Sequence, residues 1–454
     1  MDNRLIYVLY LTLLAIGGFL TIRVLWALLH QRTVRLRALI SFLVLIGGIA
    51  GYYVWESSRS LASLAEARRA YAQAADGPMR IAIPWETDET NFFDGAKRAA
   101  KEINENPIRV IRPDGTSAEV KVEIVPYPYG AGEARTIAEK IARDPSIMGV
   151  IGHSDIDGAI LASVIYDATG LLYFAPTIHL AQLTEHNFST VFRLSPSDAE
   201  MARTIAHFAD QNGLFNIVII APRNEYGYDL FQIYKGEISA LNSSQNQVDA
   251  PHVRKFISYT PTQSRFDEII TSFVENATQE RLQVDLVVIL GTSAAEAQLL
   301  EQMRRRNLRA AVLCMPALWD EATALIKATP ESVAGPVYVL SFGGAMPENV
   351  TAPPSEVAGR EMLAHSAVHL MATAWQRTGS TDSREAAISL RAIPGWDLGG
   401  LPLDFLPNGA ISDWPIRVEK LNPALKGQSE VVFEMQPAEA PPPAADPAIP
   451  ATQP

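Results

Sequence analysis

The stretch VIGHSDIDGA, residues 150–159, sets His153, Ser154 and Asp155 side by side behind an apolar run. An imidazole, a hydroxyl and a carboxylate are the groups of nucleophilic hydrolysis, and also the groups that hold a small polar molecule. A catalytic triad is assembled by geometry and not by adjacency in the chain. The sequence contains neither GxSxG nor HExxH, and its histidines read as scattered. Neither a Walker loop nor GxGxxG follows the first strand-like run, so nucleotide binding lacks its phosphate cradle. The loop therefore reads as one that holds a ligand without transforming it. No catalytic residue, metal ligand or cofactor is expected, and the chain is not read as an enzyme.

Such a loop needs a rigid scaffold behind it. From Met79 onward, short apolar runs (RIAIPW, KVEIVPY, IMGVIG, LLYFAP, FNIVIIAP, DLVVILG, AAVLCM, GPVYVLSF) alternate with amphipathic helical stretches. Continuous apolar strands alternating with helices predict parallel sheets covered on both faces. About eight such units exceed one doubly wound domain, so two lobes are expected, with a ligand cleft at the carboxyl ends of their strands. Cys314, the only cysteine, lies in the apolar run Ala311–Met315 and reads as a buried strand thiol. The basic run RRRN at 304–307 reads as a solvated last turn of a helix.

The ends differ from this pattern. Leu5 to Ile22 and Ala38 to Trp55 carry no charge, and each as a helix would span roughly 27 Å, close to a hydrocarbon core. The loop between them carries Arg32, Arg35 and Arg37, which places it in the cytoplasm and everything after Trp55 outside. Residues 1–56 are thus expected to form a transmembrane helical hairpin, and 57–78 a helical stalk with Leu61, Leu64, Arg68 and Tyr71 on one face, most simply a spacer. The Pro/Ala-rich tail 436–454 is expected to be disordered or polyproline II. The net charge of -12 over 454 residues disfavours nucleic acid as a partner.

Several segments resemble, in order and spacing, the type I periplasmic binding proteins that bind leucine, isoleucine and valine for ABC uptake. They are RIAIPWETDETNFFDGAKRAAKEIN, GVIGHSDIDGAILASVIYDATGLLYFAPTIHLAQLT, FRLSPSDAEMARTIAHFA, NIVIIAPRNEYGYDLFQIYKGEI, VDLVVILGTSAAEAQLLEQMRRRNL, AGPVYVLSF and PLDFLPNGAISDWPIRVEKL. The resemblance covers 79–435. It implies an α/β fold of two doubly wound lobes after the hairpin, with lobe one about 79–197 and 341–400 and lobe two about 198–340 plus the C-terminal part.

In amino-acid-binding relatives, hydroxyls and backbone amides of two first-lobe loops hold the ligand carboxylate. A second-lobe acid holds the ammonium, and a tyrosine closes over the ligand. Carried over, the first loop position falls on Ile156 beside Asp155 and Asp157, and the second loop offers Thr177, with His179 where the family has threonine. Tyr226 matches the closing tyrosine, a second family tyrosine falls near Thr292, and the acidic position falls on Pro316 or Ala317. With half of that clamp displaced, Trp85, Glu86, Asp155, His179, Tyr226 and Trp319 are alternatively placed to line a pocket for a cationic, aromatic or polar ligand. The plainer readings stay open. They make Asp155 and Asp157 helix caps, His179 a satisfied loop histidine and Trp319 a core residue.

The resemblance implies a solute-binding protein anchored in the bacterial cytoplasmic (inner) membrane as a multi-pass chain, with its main domain on the periplasmic side. It would hold a small polar, amino-acid-like ligand for an ABC permease. The alternative is a ligand-sensing or scaffolding subunit of an envelope complex, coupled through hairpin and stalk to another membrane partner.

Overall fold

The computed structural model describes residues 44–48, 61–74, 77–86, 90–112, 114–130, 132–245, 250–260, 265–271, 284–291, 294–306, 309–328, 335–342, 356–398, 401–412, 414–421 and 429–435. The chain divides into two compact units, Met1–Leu64 and Ala65–Pro454.

In the first unit, residues 44–48 are helical, and Val44, Leu45 and Ile46 are exposed. The rest of the expected hairpin lies outside the described residues. No described helix is long and apolar enough to cross a membrane. The tail 436–454 also lies outside them.

The strands of the second unit are β1 (Met79–Glu86), β2 (Ile108–Ile111), β3 (Ser117–Val120), β4 (Val122–Tyr129), β5 (Ile147–Ile151), β6 (Leu172–Ala175), β7 (Val191–Arg193), β8 (Asn216–Pro222), β9 (His252–Tyr259), β10 (Leu286–Ile289), β11 (Ala311–Cys314), β12 (Val337–Phe342), β13 (Trp396–Leu398), β14 (Leu401–Phe405), β15 (Ile411–Ser412), β16 (Ile416–Leu421) and β17 (Ser429–Glu434). Sheet one has the order β4-β1-β5-β6-β7 and is parallel throughout. Sheet two has the order β17-β16-β12-β11-β10-β8-β9. It is mixed, because β16 runs antiparallel to β12, and β17 antiparallel to β16. The expectation of purely parallel sheets fails there, since the chain returns to lobe two at its end without a crossover helix.

Every strand read from an apolar run is present. The strands that escaped notice are short or less buried: β9, HVRKFISY, lies at the edge of sheet two with one exposed and several half-buried positions. Side-chain alternation builds a core on each face of both sheets. In β1, Ile81, Ile83 and Trp85 face one cluster and Ala82 the other. In β8, Ile217 and Ile219 face one cluster while Val218 and Ile220 face the other. Each fully buried Ile or Val contributes about 1.5–3 kcal/mol.

The chain passes from sheet one to the second lobe between β7 and helix Asp198–Gln211. It returns after β12 through helix Glu356–Thr378, whose Ala364, Val368 and Trp375 join the first core. Strand β15 still packs there through Ile411, and Ile416 of β16 is already in the second core. Between them, Trp414 touches both.

Within the second unit, residues 65–74 of the segment read as a spacer are docked. Residues 61–74 are helical, and within the second unit Ala72 belongs to the first core. Arg68 is 2% exposed. Its guanidinium donates to the carbonyls of Ile147 (2.8 Å), Ala142 (2.7 Å), Asp144 (3.2 Å) and Thr169. Asp144 and Thr169 are the C-caps of helices Ala134–Arg143 and Ile156–Ala168, so one cation meets the negative ends of both helices. Burial lowers the Arg68 pKa to about 10, opposed by the charge of Asp144.

The basic run also differs from expectation. Arg304 is buried and donates to the Gly335 carbonyl at 2.9 Å, while Arg305 and Arg306 pair with Glu301 and Asp267 on the surface. Cys314 lies fully buried in β11, and burial pushes its thiol up to about 12.

Candidate functional site

The carboxyl ends of β5, β6 and β7 lie side by side in sheet one, and each runs into a polar segment. After β5 the chain bends sharply. Gly152 has φ 146° and His153 has φ 54°, a left-handed value uncommon for a residue with a Cβ. A Cβ on Gly152 would stand 2.3 Å from the Pro84 carbonyl oxygen. Backbone bonds from Gly152 to Phe174 and from His153 to Pro84, at 3.1 and 2.9 Å, hold the bend to its neighbouring strands. His153 is buried against Tyr129, Tyr166 and Tyr173, and its Nε2 shares a 2.8 Å hydrogen bond with the Tyr166 hydroxyl. Burial lowers its pKa to about 4, so the ring is neutral at physiological pH.

The bend brings the Ser154 hydroxyl into a buried position with no hydrogen-bond partner. Asp155 behaves as a cap. It is the N-cap of helix Ile156–Ala168, accepts from the Gly158 amide at 2.6 Å and receives the Tyr129 hydroxyl at 2.7 Å. Ile156 opens that helix half-buried and offers only backbone polarity.

After β6, the Thr177 hydroxyl is likewise buried without a partner. His179 Nδ1 lies 3.0 Å from the Pro196 carbonyl, which can only accept. Nδ1 therefore carries the proton, and Nε2 presents a lone pair. Burial lowers the His179 pKa to about 4. Its ring lies 5.3 Å from that of Phe342, at the end of β12 in sheet two.

After β7, Ser197 caps helix Asp198–Gln211 in a capping box with Glu200. Asp198 is 1% exposed. Its amide donates to the His179 carbonyl at 2.9 Å, and its Oδ1 receives the Tyr226 hydroxyl at 3.3 Å. Its Oδ2 is buried without a partner. Burial raises its pKa to about 7, against the Tyr226 hydrogen bond and the Arg193 charge. Tyr226 follows β8 at the start of helix Glu225–Gln245 and packs on the cores of both lobes.

The structure thus brings His179 and Tyr226 together on an acid that sequence reading did not single out, while Thr177 stands after the neighbouring strand end with its hydroxyl unpaired. Asp198 lies in the first turn of its helix, where an acid is ordinary. The available signal was its place in FRLSPSDAE, directly after a strand end. Trp85 is elsewhere: it is fully buried in the first-lobe core and stacks on Phe92 with centroids 3.9 Å apart. Thr292 and the side chains of Glu86 and Trp319 lie outside the described residues, although Glu86 ends β1 and Trp319 opens helix Trp319–Ala328.

Chemically, the Ser154 and Thr177 hydroxyls are donors suited to an anionic oxygen. The Asp198 carboxylate is an acceptor suited to a cationic nitrogen. His179 Nε2 is a second acceptor.

A family model described as periplasmic binding protein matches residues 84–416. An amino acid binding protein of Pseudomonas aeruginosa is 21% identical over 320 residues, covering 67% of this chain and 78% of that protein. Among solved structures, the chain is similar to an ABC transporter substrate-binding protein from Desulfitobacterium hafniense in complex with Leu, at 21% identity and a TM-score of 0.61, covering 78% of this chain and 100% of that one. It is also similar to a solute binding protein of an ABC transporter from R. palustris in complex with benzoate, at 14% identity and a TM-score of 0.60, covering 81% of this chain and 98% of that one.

Proposed function

Because the chain belongs to the periplasmic binding protein family, we propose that it is an extracytoplasmic solute-binding protein that holds an amino-acid-like molecule between its lobes. The observation that carries this reading is that three of the buried polar atoms without a hydrogen-bond partner fall in the segments that follow β5, β6 and β7: Ser154 Oγ, Thr177 Oγ1 and Asp198 Oδ2. A buried polar atom left unpaired costs about 1–3 kcal/mol, and a ligand removes that cost. The two hydroxyls suit a carboxylate and Asp198 suits an ammonium, and an α-amino acid carries both. Leucine and benzoate, the ligands of the two similar structures, share the carboxylate, and only leucine brings an ammonium. Tyr226, resting on both lobes, closes over the bound molecule by hinge movement. The protein then delivers its ligand to an ABC permease and transforms nothing.

The reading is tested by a thermal-shift series on the full-length chain with amino acids, amines and aromatic acids, since a ligand in excess of its dissociation constant must raise the melting temperature. Thr177→Val removes the hydroxyl at nearly constant shape. The expected result is ligand affinity weakened by about tenfold, with the ligand-free melting temperature unchanged or raised. Unchanged affinity with every stabilising ligand would remove Thr177 from the site.

The uncharged runs Leu5–Ile22 and Ala38–Trp55 support an anchor in the inner membrane. The full-length chain is expected to stay with membranes through alkaline carbonate extraction, and a chain lacking residues 1–56 to be released. Release of both would reject the anchor.

One observation favours the second reading, a sensory or scaffolding subunit. Arg68 fixes residues 65–74 rigidly to lobe one, whereas a tether for a delivery protein needs no such lock.

A further inference from the structure

Away from the strand ends, two helices of lobe one pack face to face. Gly95 of helix Thr90–Glu105 lies so close to helix Glu356–Thr378 that a Cβ there would stand 2.0 Å from the Glu361 carbonyl oxygen. Glu102 lies seven residues further on, two helical turns along the same face. The opposing helix carries His365 and His369, four residues apart and so on one face as well. His365 Nε2 lies 2.8 Å and His369 Nε2 3.0 Å from the same oxygen, Glu102 Oε2. The imidazole centroids are 4.6 Å apart, and the three ligand atoms all fall within 4.8 Å of one another. The site is partly open, with side-chain exposures of 23% for His365, 39% for His369 and 45% for Glu102. Arg98 Nε is 4.0 Å from the other Glu102 oxygen, Oε1, and Arg98 also pairs with Glu361, which helps to orient the carboxylate.

We propose that Glu102, His365 and His369 form a zinc-class metal site that staples these two helices, separate from the ligand cleft. Two imidazoles at i and i+4 with a carboxylate from a neighbouring helix are the donor set that zinc takes with three protein ligands, leaving a fourth position for water. Nitrogen-rich sites of this kind favour Zn²⁺, Co²⁺ and Ni²⁺ over Mg²⁺ or Ca²⁺. At zinc–ligand distances of about 2.0–2.1 Å, tetrahedral ligand atoms stand about 3.3 Å apart, so as the ion replaces the protons shared with Glu102 the two imidazole–carboxylate separations of 2.8 and 3.0 Å widen by about half an ångström through side-chain rotation. The open position also makes the site accessible from solvent. The consequence is a metal-dependent stiffening of lobe one, in which the helix returning from the second lobe is locked to the first helix of the domain.

The test uses the untagged full-length chain, stripped with a chelator and then titrated with ZnCl2 by calorimetry and with CoCl2 by visible absorption. The expected result is one tight ion per chain, intense Co²⁺ bands of a low-coordinate nitrogen and oxygen site, and a melting temperature that rises with Zn²⁺. His369→Ala and Glu102→Gln should each weaken binding by more than roughly tenfold, the scale that even an outer-shell partner costs. The double change His365→Ala with His369→Ala should abolish it. Amino-acid-dependent thermal shifts should survive in all three variants, which separates this site from the cleft. No saturable Zn²⁺ binding by the unaltered chain, or equal binding by the double variant, would overturn the proposal.

Discussion

Asp198→Asn is expected to weaken binding of an ammonium-bearing ligand by about 2–4 kcal/mol, the cost of truncating one partner of a buried charge pair, while raising the stability of the ligand-free protein at pH 8 by about 1–2 kcal/mol. Both effects follow from one environment. Asp198 is buried, one carboxylate oxygen has no partner, and burial raises its pKa to about 7, well above the value of about 3.9 in an unfolded chain. The sign follows from proton binding. Between these values the native state holds a proton that the unfolded chain has released, so stability falls as pH rises from about 4 and is fully reduced above about 7. Asparagine removes the charge and with it the penalty, and its carbonyl still accepts from Tyr226.

Ligand affinity moves the other way. An ammonium pairs with the carboxylate, so its binding should weaken as pH falls below 7, whereas an acid without an amine should bind better there. In the asparagine variant both pH trends should flatten. Affinity and stability measured between pH 5 and 8 check this. An unchanged affinity at pH 8 would exclude Asp198 as the ammonium partner, and a lower melting temperature at pH 8 would show that its charge is compensated in the native state.

Arg68→Ala is expected to destabilise the second unit by about 3–4 kcal/mol, because a buried cation and its hydrogen bonds to charged or dipolar groups are lost together. The guanidinium reaches the carbonyls of Ala142, Asp144, Ile147 and Thr169, which join the ends of two helices to the start of β5. Alanine leaves those carbonyls buried and facing a void. Arg68→Lys should recover only part of the loss, since an ammonium cannot span that fork of acceptors. Urea unfolding of the two variants measures the difference. A change within about 0.5 kcal/mol, the range of an ordinary surface substitution, would mean that the helix is not docked in solution, and the argument for a sensory role would go with it.

The same residues show how far reading the chain could go. The eight apolar runs became strands because period and composition encode local structure directly, whichever segments later become neighbours. Tyr226 and Thr177 could be picked out as candidates for a related reason, since each follows a strand end and the carboxyl ends of parallel strands are where ligands bind. Asp198 follows a strand end as well, but its capping box explains its local sequence completely. What sets it apart is burial and the hydroxyl of Tyr226, brought from another segment to lie against it. Trp85 failed in the opposite direction. An aromatic residue at a strand end looked like a pocket wall, and stacking on Phe92 made it core.

What the sequence by itself determined is the alternation of strands and helices, the order of segments shared with the family, and the charge pattern of the uncharged N-terminal runs. All are properties of neighbours along the chain. What only the tertiary structure decided is which polar groups lose water and find no partner, or find one from far away. Arg68 reads as a spacer residue until the helix ends arrive around it. His365 and His369 read as two of the scattered histidines until Glu102, 263 positions from the first, meets them across two packed helices. Burial and convergence depend on packing between distant segments, and no local period records it.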